Sequence, residues 1–404
     1  MANVNDMIVH QASTVLNSLV EQATGRASDI ASTPGEFVSV AQTALKTGYD
    51  PILNAMSQMW GRTIFSIRPY TRKFKGMEMS LDRWGNACRK ISVAEQPVKD
   101  DERFAYPAGY SATQTPADGN GKSVDMFKLY KPDILQTNFY GQSVYENIYT
   151  VFRDNLDVAF TGPDEFMRFN SMVAQNRSDK LEQYRETIAR GLLLNYIGSI
   201  LEENNNDRNI HLLSAYNELT GQKLTAQTVY QPANFKSFME YVYSRIANIS
   251  RIMTERSEMF QTVINGKHVM RHTPPNKQKI YLHSKYMDMF DSMVKANTFH
   301  DNYLKYTDYE GVNFWQSIDD PLAITVTATY TNNDGTVVTA AVPKENSAIL
   351  GVIFDENALG YAQVNAWNSL TPFNPVGGYW NDVDHVNFKT IQDMTEKGVL
   401  LLLD

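Results

Sequence analysis

The side chains that could do chemistry are few and scattered. Ala117-Asp118-Gly119-Asn120-Gly121-Lys122-Ser123 ends like a phosphate-binding P-loop, in which backbone amides and a lysine hold phosphate oxygens. That motif needs a glycine five positions before Gly121 and a buried strand ahead of it. Pro116 stands there instead, and the preceding residues form a polar loop. His268 and His272 stand four apart, the spacing that puts two metal ligands on one helix face. Asn265-Gly266 before them and Pro274-Pro275 after them make this a loop or hairpin. No carboxylate completes the set, so a solvated or hydrogen-bonded histidine pair is the better reading. His10, His211, His283, His300 and His385 are dispersed, and Asp100-Asp101 and Asp319-Asp320 occupy turns. No serine sits in a Gly-x-Ser-x-Gly elbow. One cysteine, Cys88, excludes an internal disulfide and a cysteine-cluster zinc site. The sequence thus assigns no catalytic, cofactor-binding or metal-ligating residue.

Charge gives a stronger signal. Residues 62–90 carry eight basic and two acidic side chains, in a chain whose net charge is −8. Arg68, Arg72, Lys73, Arg83, Trp84, Arg89 and Lys90 are the candidate functional residues. Arginine beside Trp84 suits stacking on bases and equally suits a protein interface, where both residue types are enriched. A basic segment on an otherwise acidic chain fits charge complementarity between copies of the same protein. A subunit interface is the first reading, a solvated surface the second, nucleic acid the third.

The elements that must carry this segment are those of an α+β protein. Its 404 residues, 43% apolar and 20% charged, are ample for a buried core. The longest apolar stretches, 348–354 and 399–403, are far short of the ~20 residues of a membrane span. The N-terminus shows no secretory signal. Helical spacing of apolar residues covers 8–20, a segment opened by Pro34 and closed by Gly48, and a segment after Asp50-Pro51. None of the three is long enough to stand alone in water, so they dock on their own domain or on a neighbour. Residues 64–67 form a strand, 105–123 a long Pro/Gly/Ser-rich loop, and 126–139 a returning strand. From Pro163 a helix of nearly forty residues follows, with Asp164 and Glu165 in its first turn and Arg168, Asp179, Glu182 and Glu186 on its polar face. A helix after Pro232, a strand at 279–283 with a helix from Ser284, and strands at 312–315, 324–330, 336–342, 347–354 and 398–403 complete the pattern. Asn333-Asp334-Gly335 makes a hairpin turn, and 371–378 a loop.

This order resembles one family: the major capsid proteins of tailed bacteriophages, with the Hong-Kong-97 fold. The chain is most similar to those of short-tailed, phi-twenty-nine-like phages. The stretches that carry the resemblance are 53–67, 127–139, the long helix from Pro163, Lys279 to Ser284, and Gly377-Gly378-Tyr379-Trp380. The resemblance implies an N-terminal helical arm (1–61), an E-loop with its flanking strands (62–140) and a peripheral domain with a spine helix (141–230). An axial domain (231–378) and a C-terminal strand returning to the peripheral domain (379–404) follow. It also implies a non-enzymatic, cofactor-free subunit that assembles with itself as pentamers and hexamers around double-stranded DNA. The arm would reach across a neighbour and the E-loop would lie over the adjacent subunit. A separate scaffolding protein, a portal, and decoration or head-fibre proteins would be partners. The place of action would be the virion, with assembly in bacterial cytoplasm and no membrane contact. An encapsulin-like nanocompartment shell shares the fold, and an α/β enzyme with an unrecognised site stays as a further alternative.

Overall fold

The computed structural model describes residues 4–24, 31–60, 70–80, 88–94, 127, 131, 133–203, 205, 207–288, 309–342 and 348–404. In chain order, α1 (Val4–Thr24), α2 (Pro34–Thr47) and α3 (Tyr49–Trp60) precede β1 (Cys88–Ala94), β2 (Asp133–Phe139) and β3 (Gly141–Phe152). Then come α4 (Arg153–Ala159), α5 (Pro163–Glu203), β4 (Asn209–His211), α6 (Leu212–Thr220) and α7 (Pro232–Thr254). The rest is β: β5 (Gln278–His283), β6 (Tyr309–Val312), β7 (Thr327–Thr331), β8 (Val337–Ala341), β9 (Ile349–Asp355), β10 (Leu359–Leu370), β11 (Tyr379–Gln392) and β12 (Gly398–Leu402). The chain divides into two compact units. Unit 1 is Met1–Asn86, Tyr140–Leu193 and Leu359–Ile391; unit 2 is Ala87–Phe139, Leu194–Ala358 and Gln392–Asp404.

Unit 1 holds a three-stranded sheet in the order β10-β11-β3, with β11 antiparallel to β3 along twelve residue pairs. One face of it packs on α5. Tyr145 stacks on Tyr184 at 4.4 Å between ring centroids, and Arg177 donates to Asp382 at 2.8 Å and also to Asp384. Helices α1, α2 and α3 bury Leu16, Phe37, Ala41, Leu53 and Met56 in the same cluster as Leu156, Phe166 and Trp380. The two docking possibilities left by the sequence therefore resolve within unit 1: these apolar faces are buried against their own unit. Helix α2 starts from a capping box, in which Thr33 Oγ1 accepts from the Glu36 amide at 3.3 Å and Glu36 accepts from the Thr33 amide at 3.1 Å. Asp50 falls inside α3 rather than before it, and its carboxylate accepts from Trp380 Nε1 at 2.7 Å.

Unit 2 is built on a five-stranded sheet in the order β4-β12-β9-β5-β6. Strands β9 and β12 are buried at every residue, as expected of runs such as Ile349-Leu350-Gly351-Val352-Ile353-Phe354, which are apolar on both faces. Helices α6 and α7 cover it through Leu213, Phe238, Val242, Ile249 and Met253. Gly398 opens β12 where a Cβ would collide with the Tyr196 hydroxyl. That hydroxyl also accepts from the fully buried Arg208, which pairs with Glu203 at 2.7 Å.

Several sequence expectations shift. The strand expected at 312–315 is β6, ending at Val312; Trp315 is instead buried with Nε1 donating to the Ile349 carbonyl at 2.9 Å. Of the returning strand expected at 126–139, Asp133–Phe139 form β2 and residues 127 and 131 lie outside it. The region 379–404, expected to hold one returning strand, holds two in different sheets. Asp393 separates them: its carboxylate accepts from both the amide and the hydroxyl of Thr395, a local turn that ends β11. Strand β10 and the long extents of β3 and β11 lie beyond what the sequence pattern predicts. The strand expected at 64–67, the loop at 105–123 with its P-loop-like residues, and the helix beyond residue 288 lie outside the described residues.

Candidate assembly interface

The basic segment enters unit 1 along the polar face of α5. Asp179, Glu182 and Glu186 line that face at helical spacing, and residues 70–78 lie against it. The Tyr70 amide donates to Asp179 at 3.0 Å, the Tyr70 hydroxyl to Glu186 at 2.5 Å, and the Lys73 amide to Glu186 at 3.3 Å. Arg72 is buried. Its Nη1 donates to Glu182 at 2.7 Å, its Nε to the Tyr361 hydroxyl at 2.9 Å, and its Nη2 to Glu78. Burial alone would raise the Glu182 carboxyl, but Arg72, with Arg185 beside it, outweighs burial and holds it below the usual carboxylate range. Phe74, at φ +61°, is buried under Arg190, whose guanidinium carbon lies 5.3 Å from its ring centroid. The polar face of α5 is thus an intrachain docking site for residues 70–78.

Arg89 and Lys90 lie in unit 2 on β1, which pairs antiparallel with β2 from Cys88↔Phe139 to Ala94↔Asp133. Successive strand residues point to opposite faces, so these neighbours part company. Lys90 Nζ donates to Asp393 at 2.6 Å and to Glu396. Arg271 continues the inner face, donating to Ser92 at 2.7 Å and lying 3.4 Å from Glu396. Lys267 Nζ donates to the Ile134 carbonyl at 2.6 Å, and Ala94 and Leu135 pack with Ile264 and Val269. Burial pushes the Glu396 carboxyl up despite Lys90 and Arg271. Burial also pushes Lys397 down to about 8, although Glu255 opposes it; the Lys397 ammonium donates to the Glu255 carbonyl and the Ser257 hydroxyl. Arg89 lies on the outer, exposed face. Arg68, Arg83 and Trp84 lie outside the described residues.

The structure therefore places Arg72 and Lys90 in two separate ion-pair networks, each within its own unit. The partners Glu182, Asp393, Glu396 and Arg271 were not singled out from sequence as theirs. The acidic row on α5 was visible, but nothing local marks which segment it receives. His268 pairs with Glu258 at 2.8 Å, and His272 is exposed. Among the described residues no three His, Cys, Asp or Glu side chains gather as a metal site, and no helix is long and apolar enough to cross a membrane.

The described residues build a sheet backed by α5, a second sheet whose strands β9 and β12 are buried throughout, and a two-stranded ribbon held to unit 2 by Lys90, Ser92 and Leu135. Compared with known families, residues 16–390 match the Phi29-like phage major capsid proteins. The chain belongs to this family. The capsid protein's fold is of the Hong-Kong-97 type. It is similar to a chain in the capsid structure of Staphylococcus phage Andhra, with 11% identity, 85% of this chain and 87% of that chain covered, and a TM-score of 0.51. It is also similar to a chain in the structure of the head fiber and inner core protein gp22 of native bacteriophage P68, with 12% identity, 85% and 87% coverage and a TM-score of 0.54. No curated protein sequence matches. The capsid protein is a structural component of the phage virion and not an enzyme, so the α/β-enzyme alternative falls, and the phage family displaces the nanocompartment.

Proposed function

We propose that the capsid protein assembles with itself as pentamers and hexamers into an icosahedral shell around double-stranded phage DNA. The match to the capsid family along residues 16–390 carries this reading. In it, residues 1–61 are the N-terminal arm, 62–140 the E-loop with its flanking strands, 141–230 the peripheral domain with α5 as spine, 231–378 the axial domain and 379–404 the return segment. The E-loop lies over the adjacent subunit. The anchoring of β1 and β2 through Lys90, Ser92 and Leu135 supports a loop held firmly at its base while its outer face stays open. Assembly takes place in bacterial cytoplasm with a separate scaffolding protein and a portal, and the DNA is held by non-specific contacts. Decoration or head-fibre proteins are further candidate partners.

Negative-stain electron microscopy of the purified protein, alone and co-expressed with the proteins encoded beside it, tests the reading. Closed shells a few hundred Å across, and nuclease-resistant DNA in shells from infected cells, are expected. A protein that forms only small oligomers under both conditions would overturn it. Shells holding a co-purifying enzyme in place of DNA would overturn the packaging role.

A further inference from the structure

The two-stranded β7-β8 ribbon of unit 2 has one edge engaged and one edge open. The Val342 amide donates to the Val326 carbonyl at 2.9 Å, and the Asn332 amide to the Thr336 carbonyl at 2.8 Å. Hydrogen bonding in an antiparallel ladder alternates from residue to residue. Val338 and Ala340 therefore aim their amides and carbonyls at β7, and Val337, Thr339 and Ala341 aim theirs away from it. The matching outward residues of β7 are Thr327, Thr329 and Thr331. Asn195 of α5 engages the middle of that edge: its side chain donates to the Thr329 carbonyl at 2.9 Å and accepts from the Thr329 amide at 2.8 Å. On β8 the outward groups of Val337, Thr339 and Ala341 have no partner among the described residues. All three residues are exposed, Val337 at 71%. The ribbon is held from beneath, where Val326, Ala328 and Val342 press so closely on Gly198 of α5 that a Cβ there would lie 2.9–3.1 Å from them.

A firmly seated strand with an unpaired, uncharged edge is a template for another strand. Residues 336–342 (Thr-Val-Val-Thr-Ala-Ala-Val) hold no charge and no proline, and five of the seven are β-branched. The edge is also complementary to itself. Set antiparallel about Thr339, two copies bring Thr339 opposite Thr339 and Val337 opposite Ala341. All three outward residues of each strand then pair. Any other antiparallel register leaves an outward residue of each strand without another to meet. In the same count the sequence sets Lys344 opposite Asp334, so the two ends of the pairing carry opposite charges. We propose that β8 of one copy pairs edge to edge with β8 of a second copy, antiparallel about a two-fold axis at Thr339, to make a four-stranded β7-β8-β8-β7 sheet. This rests on the self-assembly reading above and adds how rings are joined. A contact of one surface with itself closes after two copies, whereas five- and six-membered rings are built head to tail. The β8 contact therefore links a subunit of one ring to a subunit of the next.

The test uses the full-length protein with Cys88→Ser as background and one new cysteine. Facing residues of a hydrogen-bonded antiparallel pair have Cα atoms about 5.5 Å apart, within the range that a disulfide spans. Under oxidised glutathione, Thr339→Cys should give disulfide-linked dimers of the assembled protein, and Thr327→Cys on the far edge should not. Dimers from both variants, or from neither, would overturn the register. Sedimentation velocity gives a second readout. Thr339→Lys and Thr339→Glu each set like charges face to face at the axis and should each weaken association roughly fivefold or more. Their melting temperatures should stay unchanged, because the side chain is exposed. Mixing the two variants should restore association. Normal association of either variant alone, or no recovery on mixing, would overturn the pairing. If the unmodified protein forms only a small oligomer and Thr339→Cys links it, the shell reading fails and the pairing stands. Shells in which Thr339→Cys stays unlinked leave the shell reading standing and overturn the pairing. A cysteine that links to a different protein in virions, and not to a second copy, overturns the choice of partner. An unmodified protein that stays monomeric overturns both readings.

Discussion

The two larger sheets of the capsid protein are built to different specifications. In unit 2, β9 and β12 lie in the interior of their sheet and are buried on both faces along their whole length. In unit 1, the β10-β11-β3 sheet is covered on one face by α5 and open on the other. Those two strands are an interior, where every side chain is committed within the unit. The unit 1 sheet has a committed face with buried charge, Arg177 between Asp382 and Asp384, and an uncommitted face with apolar side chains in water. The lesson is that face, more than sheet, decides what a substitution does: covered faces hold the subunit together, and the open face is free to hold subunits to each other.

Four substitutions probe that distinction. Arg177→Met should cost about 3–5 kcal/mol in chemical denaturation, because it strands the buried Asp382 carboxylate without its cation. Leu401→Ala, in the middle of β12, should cost about 2–5 kcal/mol. Near-equal losses would show that the committed face of the unit 1 sheet matters as much as the fully enclosed strands of unit 2. A loss well under 1 kcal/mol for Arg177→Met would break the comparison. Lys397 supplies a pH test. Its folded pKa of about 8 lies below the ordinary 10.5, so folding favours the neutral amine. Its cost to stability is fully present below about pH 8 and fades as pH rises toward 10.5. Melting temperature relative to Lys397→Met should therefore rise across that window, and a flat difference would contradict the buried-ammonium account. Ile148→Ser, on the open face, should change stability by no more than about 0.5 kcal/mol. A loss as large as that of Leu401→Ala would mean that the face is covered within the subunit.

The same distinction explains what the sequence made legible. Helix α5 stood out because Pro163, Asp164 and Glu165 mark its start and no proline interrupts it. Strands β9 and β12 stood out because double burial turns them into unbroken apolar runs. Strand β10 carries no strand signature in its second half, where a nearly unbroken run of exposed residues, among them Gln363, Asn365 and Asn368, hides the period-two pattern. Strand β3 finds its partner far along the chain, with Gly141 paired to Thr390, and no local pattern announces such a match. The basic segment was recognised as charge but not as two destinations. Strand alternation alone separates Arg89 from Lys90. The fate of Arg72 depends on Glu182, 110 residues away, and on Tyr361, 289 away.

Gly398 has a consequence for how this protein can change over generations. The space a side chain would fill there already holds the Tyr196 hydroxyl, which is bonded to Arg208, itself tied to Glu203. An alanine at 398 is tolerable only once the tyrosine has lost its hydroxyl or moved. Losing the hydroxyl removes one partner of a buried guanidinium. The viable routes through sequence space at these positions are therefore narrow and ordered: the tyrosine must yield before the glycine does. A lineage that has taken the opposite order should carry its compensation elsewhere in the same knot of residues.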